Sequence, residues 1–440
     1  MSSSRWVTSS PQELGTTPTG PDSAKRIRIH AENGSRITEY EGISIQKSAG
    51  LLSGLSCFLT SYLCAQATIV NSLTRMAKVF IVGGTGHTGG ALLDLMLQKH
   101  PQLKVKVLVR DEDKGARLKG KYPTVQTTVG DLSSSQTLQD EARNADIVIN
   151  AAPDITHQDG IEAILSGLKD NSRLRKGFYL HLSGAATFYT KDPNGLKEGR
   201  IWDDVADIDE ILNLDQTYTH IPTDNAVRSA SADVYVAIIS PVGIGGISPS
   251  LEHPIPLTTG PLLSTARAFG SGFQIAGGEN ESGWVHVLDL ARAFLLLVDN
   301  ALEALAAAGE TRQPAEPAGF PLWGPRAYYF VRAEDIPFHA LQAALVPPLH
   351  RLGVIASDKV ESVTHTRAAR TCLAGSAEFD PDAPLPPPDS WVIHLATWFG
   401  INMRVRSERL AALGWKPVEK SILEDWEVAI REFLRREAAT

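Results

Sequence analysis

The stretch Lys78-Val79-Phe80-Ile81-Val82-Gly83-Gly84-Thr85-Gly86-His87-Thr88-Gly89-Gly90 decides the fold. Val79 to Val82 is a short β-branched and aromatic run, the pattern of a buried strand. Gly83, Gly86 and Gly89 follow at spacing G-x-x-G-x-x-G, and 91–99 has the pattern of a helix. Strand, glycine-rich turn and helix in that order make a phosphate cradle. The glycines allow a tight turn, close backbone approach to a pyrophosphate, and contact between helix and strand. The helix start adds free N–H groups and a positive dipole end. Thr85 and His87 flank the middle glycine and belong to the same expected contact set.

At 440 residues the chain is long enough for one large or two coupled domains. Its 43% hydrophobic and 21% charged fractions are ordinary for a globular protein. A net charge of −8 gives no basic footprint for nucleic acid or an anionic membrane. The three cysteines, Cys57, Cys64 and Cys372, do not make a disulfide framework, and no Cys/His cluster has metal-ligand spacing. No metal is expected.

Residues 1–75 read as a leader: 1–48, rich in Ser, Thr, Pro and Gly, have the composition of a disordered segment, and 51–70 are uncharged and of membrane-span length, with Ser, Thr, Gln and Gly making it a marginal span. Met76 stands directly before the first strand. That position favours a functional start there over a membrane anchor at 51–70. From Met76 the pattern alternates strand and helix, the form of a parallel sheet covered on both faces. Strands are expected at 79–82, 105–109, 125–129, 147–150, 178–182, 234–239 and 328–331, and helices at 91–99, 161–168, 285–300 and 421–436. The expected architecture is α/β, a doubly wound parallel Rossmann sheet with a smaller C-terminal substrate-covering region. A dinucleotide-binding domain spans 76–240. A mixed α/β region spans 241–440, with 327–332 returning to the sheet. The five prolines of 380–389 make a loop.

The glycine spacing resembles that of the short-chain dehydrogenase/reductase superfamily, and the chain from Met76 to Glu437 looks like its extended or atypical branch. Arg110 follows the second strand, where a guanidinium suits the 2′-phosphate of NADP; Asp111, one step on, leaves NAD possible. The resemblance implies that Asp131 and Leu132, after the third strand, lie at the adenine. It also places Asn150, Ala151 and Ala152 along the cofactor and Pro241 beside the nicotinamide. Trp284 to Asp289 resembles another extended-family signature, with His286 and Asp289 read as structural. The tail at 400–417 is similar to the extended family's ending. Its Arg404 and Arg406 are either anion ligands or solvated charges.

The superfamily's chemistry implies a tyrosine with a lysine four residues later. None of the nine tyrosines here has one. By position, His220 and Asp224 stand in their place, and Pro222 delays the helix start. At the usual serine site stands Ala185, with Ser183 and Thr187 as nearby substitutes. His220, Ser183, Thr187 and Asp224 are therefore the candidate catalytic set. A histidine suits proton transfer near neutral pH. Asp224 either orients that ring or merely decorates a helix start. The expectation is an NADP-dependent oxidoreductase, or an epimerase/dehydratase, of the extended type. It would transfer hydride on a small carbonyl, carbinol or nucleotide-sugar-like substrate. The alternative is a non-catalytic NmrA-like NADP-binding sensor or scaffold. A cytoplasmic protein is expected in either case, with a homodimer as one option for its assembly.

Overall fold

A computed structural model describes residues 77–439 apart from 156, 174, 308–318 and 375–395. The leader 1–75, its apolar run at 51–70, Met76 and the proline-rich loop at 380–389 lie outside the described residues. Among those described, no helix is long and apolar enough to cross a membrane.

The centre is a seven-stranded sheet. Its strands are β1 (Lys78–Val82), β2 (Lys104–Val109), β3 (Gln126–Val129), β4 (Ile147–Asn150), β5 (Phe178–Leu182), β7 (Tyr235–Pro241) and β11 (Tyr328–Val331). They run in the order β11-β7-β5-β4-β1-β2-β3, and every pair is parallel. This is a doubly wound α/β sheet. The order reverses at β1, so the crevice for a ligand opens beside the glycine-rich turn. The inner strands are continuous apolar runs because helices cover both faces. All four residues of β4 and of β11 are buried, whereas β3, at the edge, has none buried.

Two helices on one face meet at backbone distance. Gly167, in the helix Gln158–Leu168, faces the helix Ser135–Asn144, and a Cβ added there would lie 2.1 Å from the Gln139 carbonyl. A side chain at that position would push the helices apart.

Past β7 the chain builds smaller sheets. β8 (Gly243–Gly245), β10 (Glu281–His286) and β12 (Glu334–Pro337) form one; β9 (Gly272–Ile275) pairs with β13 (Val360–Val363), and β6 (Trp202–Asp203) with β14 (Val405–Arg406). A second apolar cluster forms here around Phe273, Trp284, Phe338 and Phe399. The Phe273 and Phe399 rings cross edge-on at 4.9 Å.

The strands fall where the sequence predicts them, within two residues. The helix ends differ more. The first helix is His87–Lys99, beginning four residues earlier than expected, because the glycine turn runs straight into it. The expected helix at 285 begins instead at Val287 and runs to Ala306. Val285 and His286 belong to β10, and His286 caps the helix by accepting from the Leu288 N–H at 3.1 Å. The terminal helix is Trp426–Glu437, preceded by a short 3₁₀ turn that Ser421 caps.

Candidate functional site

The glycine turn is built as the spacing requires. Gly83 has φ +79°, and a Cβ there would lie 2.6 Å from the Ala151 carbonyl carbon and the Ala152 nitrogen. At Gly89 a Cβ would lie 2.1 Å from the Gly83 carbonyl oxygen. These two glycines are demanded by the fold itself. Gly86 is not: its φ and ψ of −75° and 176° suit any residue, and a Cβ there would meet only the Gly83 oxygen, at 3.1 Å. Gly86 is also the N-cap of His87–Lys99 and makes no side-chain cap bond. Its openness is spare space in front of a helix N-terminus, the geometry of an anion cradle.

His87 offers that cradle only its backbone. Its ring is half-buried, and Nδ1 donates to the His253 carbonyl at 3.2 Å. Burial pushes its pKa down to about 4, so the ring is neutral. Segment 246–257 straps the turn from outside. The Ser248 hydroxyl donates to the His87 carbonyl at 2.6 Å, and Ser250 to the Thr85 carbonyl at 2.7 Å. Thr85 is half-buried beneath it.

Arg110 is exposed at the end of β2. The neighbouring Asp111 carboxylate caps the helix Glu112–Lys121, accepting from the Lys114 N–H at 2.8 Å. That engagement leaves the arginine as the group free to face a ribose substituent. Asp131 closes the turn after β3, accepting from Ser133 N–H at 2.9 Å and Ser133 Oγ at 2.7 Å, with Leu132 packed on the core. Asn150 is buried and accepts from the Ala152 N–H at 3.3 Å; Ala151 donates to the Val82 carbonyl at 2.9 Å. Pro241 ends β7 opposite Val331. All of these sit at carboxyl ends of parallel strands around Gly83.

The candidate catalytic residues come together, though in other pairings than the spacing implied. His220 is the N-cap of the helix Ile221–Ser229, with φ +70°, an uncommon left-handed conformation for a side-chain-bearing residue. Its Nδ1 donates to the Asp154 carboxylate at 2.8 and 2.9 Å. Nε2 lies over Gly184, where a Cβ would come within 2.6 Å of it. Thr223 Oγ1 also donates to Asp154, at 2.7 Å. Asp154 is 3% exposed, so this carboxylate is dry and its grip on the ring correspondingly strong. Burial works against ionisation of both partners, but their mutual attraction outweighs it. Asp154 lies far below the usual carboxylate range, and the His220 pKa is raised.

Asp224 does not orient His220; Asp154 does. Asp224 lies in the helix's first turn but points inward, 2% exposed, and accepts from Ser183 Oγ at 3.0 Å. Burial, reinforced by the charge on Asp154, pushes it up to about 6 against the pull of His181 and His220. Thr187 is buried and donates its hydroxyl to the Thr219 carbonyl, pinning the turn that carries His220. Ser183 and Thr187 therefore hold the frame of the site.

Asp154, His181, Thr223, Ser240 and Tyr328 were not foreseen. The sheet register explains why they converge. Asn150 pairs with His181, His181 with Ile238, and Ile238 with Tyr328. Residues in register on parallel strands share a face, as do residues two apart on one strand. His181, Ser183, Ser240 and Tyr328 thus share one face of the sheet, where His181 and Ser183 meet Asp224 of the helix Ile221–Ser229. The one available signal was a histidine inside an otherwise apolar strand, Phe178-Tyr179-Leu180-His181-Leu182.

Farther off, Arg404 lies 3.0 Å from the Glu281 carboxylate, which also takes Lys197 at 2.7 Å. Its charge is thereby matched within the protein. His286 and Asp289 are structural as read: His286 Nε2 meets Asp425 at 3.0 Å, and Asp289 accepts from the Val418 and Glu419 N–H groups at 3.1 Å.

A family model described as "Semialdehyde dehydrogenase, NAD binding domain" matches residues 78–169. Among curated relatives, Oxidase ucsJ of Acremonium sp is 26% identical over 365 residues, covering 81% of this chain and 97% of that protein. Among solved structures, the PbgP3 protein from Burkholderia pseudomallei superposes with a TM-score of 0.53 at 13% identity, covering 83% of this chain and 98% of that one. UDP-glucuronic acid 4-epimerase from Bacillus cereus, solved with UDP-glucuronic acid and NAD, gives 0.50 at 12% identity, covering 81% and 99%. These likenesses show the fold alone, a doubly wound α/β sheet shared with NAD-binding proteins of the same architecture.

Proposed function

We propose that this chain is an NADP-dependent oxidoreductase of the extended short-chain type, with a small carbonyl, carbinol or nucleotide-sugar-like substrate and His220 as its proton donor and acceptor. The observation that carries the reading is the His220–Asp154 pair. By position in the sequence this imidazole stands where the resemblance expects a tyrosine, and it is clamped through Nδ1 by a buried carboxylate at 2.8 Å, with Nε2 over Gly184.

The cradle residues present fit the cofactor. Gly86 leaves the helix N-terminus open, Ala151 and Ala152 keep the wall of the crevice low, and Arg110 suits a 2′-phosphate. When bound, NADP supplies or accepts the hydride. The rest falls to the chain. Asp154 fixes the tautomer of His220, because a carboxylate can only accept and Nδ1 must therefore carry a proton. Nε2 is then the atom that gives a proton to a substrate oxygen during reduction, or takes one during oxidation. Thr187 and Thr223 hold the His220 turn, so the ring's position survives substrate exchange. The name of the oxidase relative and the NAD in the epimerase structure agree in kind with such chemistry.

The test is a panel of ketones, secondary alcohols and nucleotide sugars, scored for NADPH consumption or formation. On any active member, His220→Ala should lower kcat by roughly a hundredfold or more, with NADPH affinity within about twofold of wild type. Full activity in that variant overturns the role given to His220. NADPH binding without turnover on every panel member favours a non-catalytic sensor instead.

A further inference from the structure

We infer that Asp154, His181 and Asp224 form a buried site for one small divalent cation, of the zinc or manganese class, behind the catalytic cleft. Among the described residues this is the one group of three side chains with metal-ligand donors in reach of one another, all within 4.8 Å. The three are 3%, 0% and 2% exposed.

Two of the donor atoms are without a partner where they meet. His181 Nε2 and Asp224 Oδ1 are fully buried and make no hydrogen bond. His181 Nε2 lies 3.8 Å from Asp154 Oδ2 and 3.8 Å from Asp224 Oδ1, too far for a hydrogen bond to either. With the third separation within 4.8 Å, the nearest point equidistant from the three atoms lies about 2.0–2.5 Å from each, which spans the length of a bond from nitrogen or oxygen to such a cation. His220 already matches one of the two buried carboxylates, and a dication would take up the charge that remains on Asp224. One imidazole with two carboxylates suits zinc, manganese or ferrous iron.

The surroundings are those of a ligand shell. Tyr179 OH stands 3.3 Å from His181 Nδ1, which directs the other ring nitrogen inward. Asp154 Oδ2 also accepts from His220 Nδ1 at 2.8 Å and Thr223 Oγ1 at 2.7 Å, and the second Asp224 oxygen accepts from Ser183. The cation would tie the end of β5 and the loop after β4 to the helix Ile221–Ser229. It would touch no substrate, and it would share Asp154 with the His220 pair. The inference does not depend on the proposed activity, since its readouts are metal content and stability.

The full chain should be stripped with a chelator, dialysed against ZnCl2 or MnCl2, gel-filtered and measured for bound metal. About one ion per chain is expected. Adding the metal at a hundredfold above its Kd should raise the melting temperature of the stripped protein by about 3–5 °C. His181→Asn and Asp224→Asn should each lose at least nine-tenths of the bound ion. A His365→Asn control should lose none. Less than a tenth of an ion in wild type with both metals, or one ion retained in His181→Asn, overturns the site. The wild-type titration decides even if a variant fails to fold.

Discussion

Two glycines of the turn, Gly86 and Gly89, should part company when substituted. At Gly89 an added methyl would sit 2.1 Å from the Gly83 oxygen, a backbone atom that cannot rotate away. Relieving that overlap requires more than 1 Å of main-chain movement between β1 and its helix, so Gly89→Ala should lose about 3 kcal/mol or more. At Gly86 the only neighbour is that same oxygen at 3.1 Å, and the backbone angles are ordinary. Alanine there loses a little as an N-cap and gains a similar amount from a stiffer unfolded chain, for a net change within about 1 kcal/mol. Gly86→Val fills the space in front of the helix N-terminus and should weaken NADPH binding at least tenfold, about 1.4 kcal/mol. Thermal unfolding and NADPH titration on the same samples separate the two effects. Wild-type affinity in Gly86→Val would refute the cradle, and wild-type stability in Gly89→Ala would refute the packing argument.

Other consequences follow from single residues. Asp204 is fully buried, accepting from the Arg409 and Phe330 N–H groups at 3.0 and 2.9 Å, and burial pushes its pKa from 3.8 up to about 7. The folded chain therefore holds a proton that the unfolded chain has released, and this stability, about 4 kcal/mol, is present below pH 4 and lost as pH rises from about 4 to 7. Denaturant melts at several pH values should show that slope in wild type and its loss in Asp204→Asn; equal slopes would rule Asp204 out. His220→Gly should be more stable than His220→Ala by about 1 kcal/mol, because φ is +70° and only glycine adopts it freely; chemical denaturation with alanine at least as stable would show that the turn relaxes. Thr187→Val removes the bond to the Thr219 carbonyl and should lower kcat severalfold with NADPH affinity unchanged. Unaltered kcat would mean that the turn holds His220 without it.

The sheet was legible because its inner strands are short apolar runs between turn residues, a pattern set by burial on both faces. The glycine turn was legible because its requirements are local: Gly83, Gly86 and Gly89 act within seven residues. Helix starts were less so, since His286 both ends a strand and caps a helix, and periodicity does not separate those roles. The dyad was half legible. His220 stood out by its place relative to the missing tyrosine. Its partner Asp154 lies 66 residues away and reaches it only through the order β7-β5-β4. Asp224, four residues from His220, looked like the natural partner, but the late helix start that Pro222 imposes turns it inward to Ser183. Spacing along a helix predicts a shared face only where the helix has already begun.

The most direct measurement is a calorimetric titration of the purified full chain with NADP+ and NAD+ in parallel. The account predicts one saturable site per chain, tighter binding of NADP+ than of NAD+, and a difference that shrinks in Arg110→Ser while NAD+ affinity holds. Tighter NAD+ would contradict the assignment of Arg110 to the 2′-phosphate, and no binding of either would contradict the cofactor site and the oxidoreductase built on it.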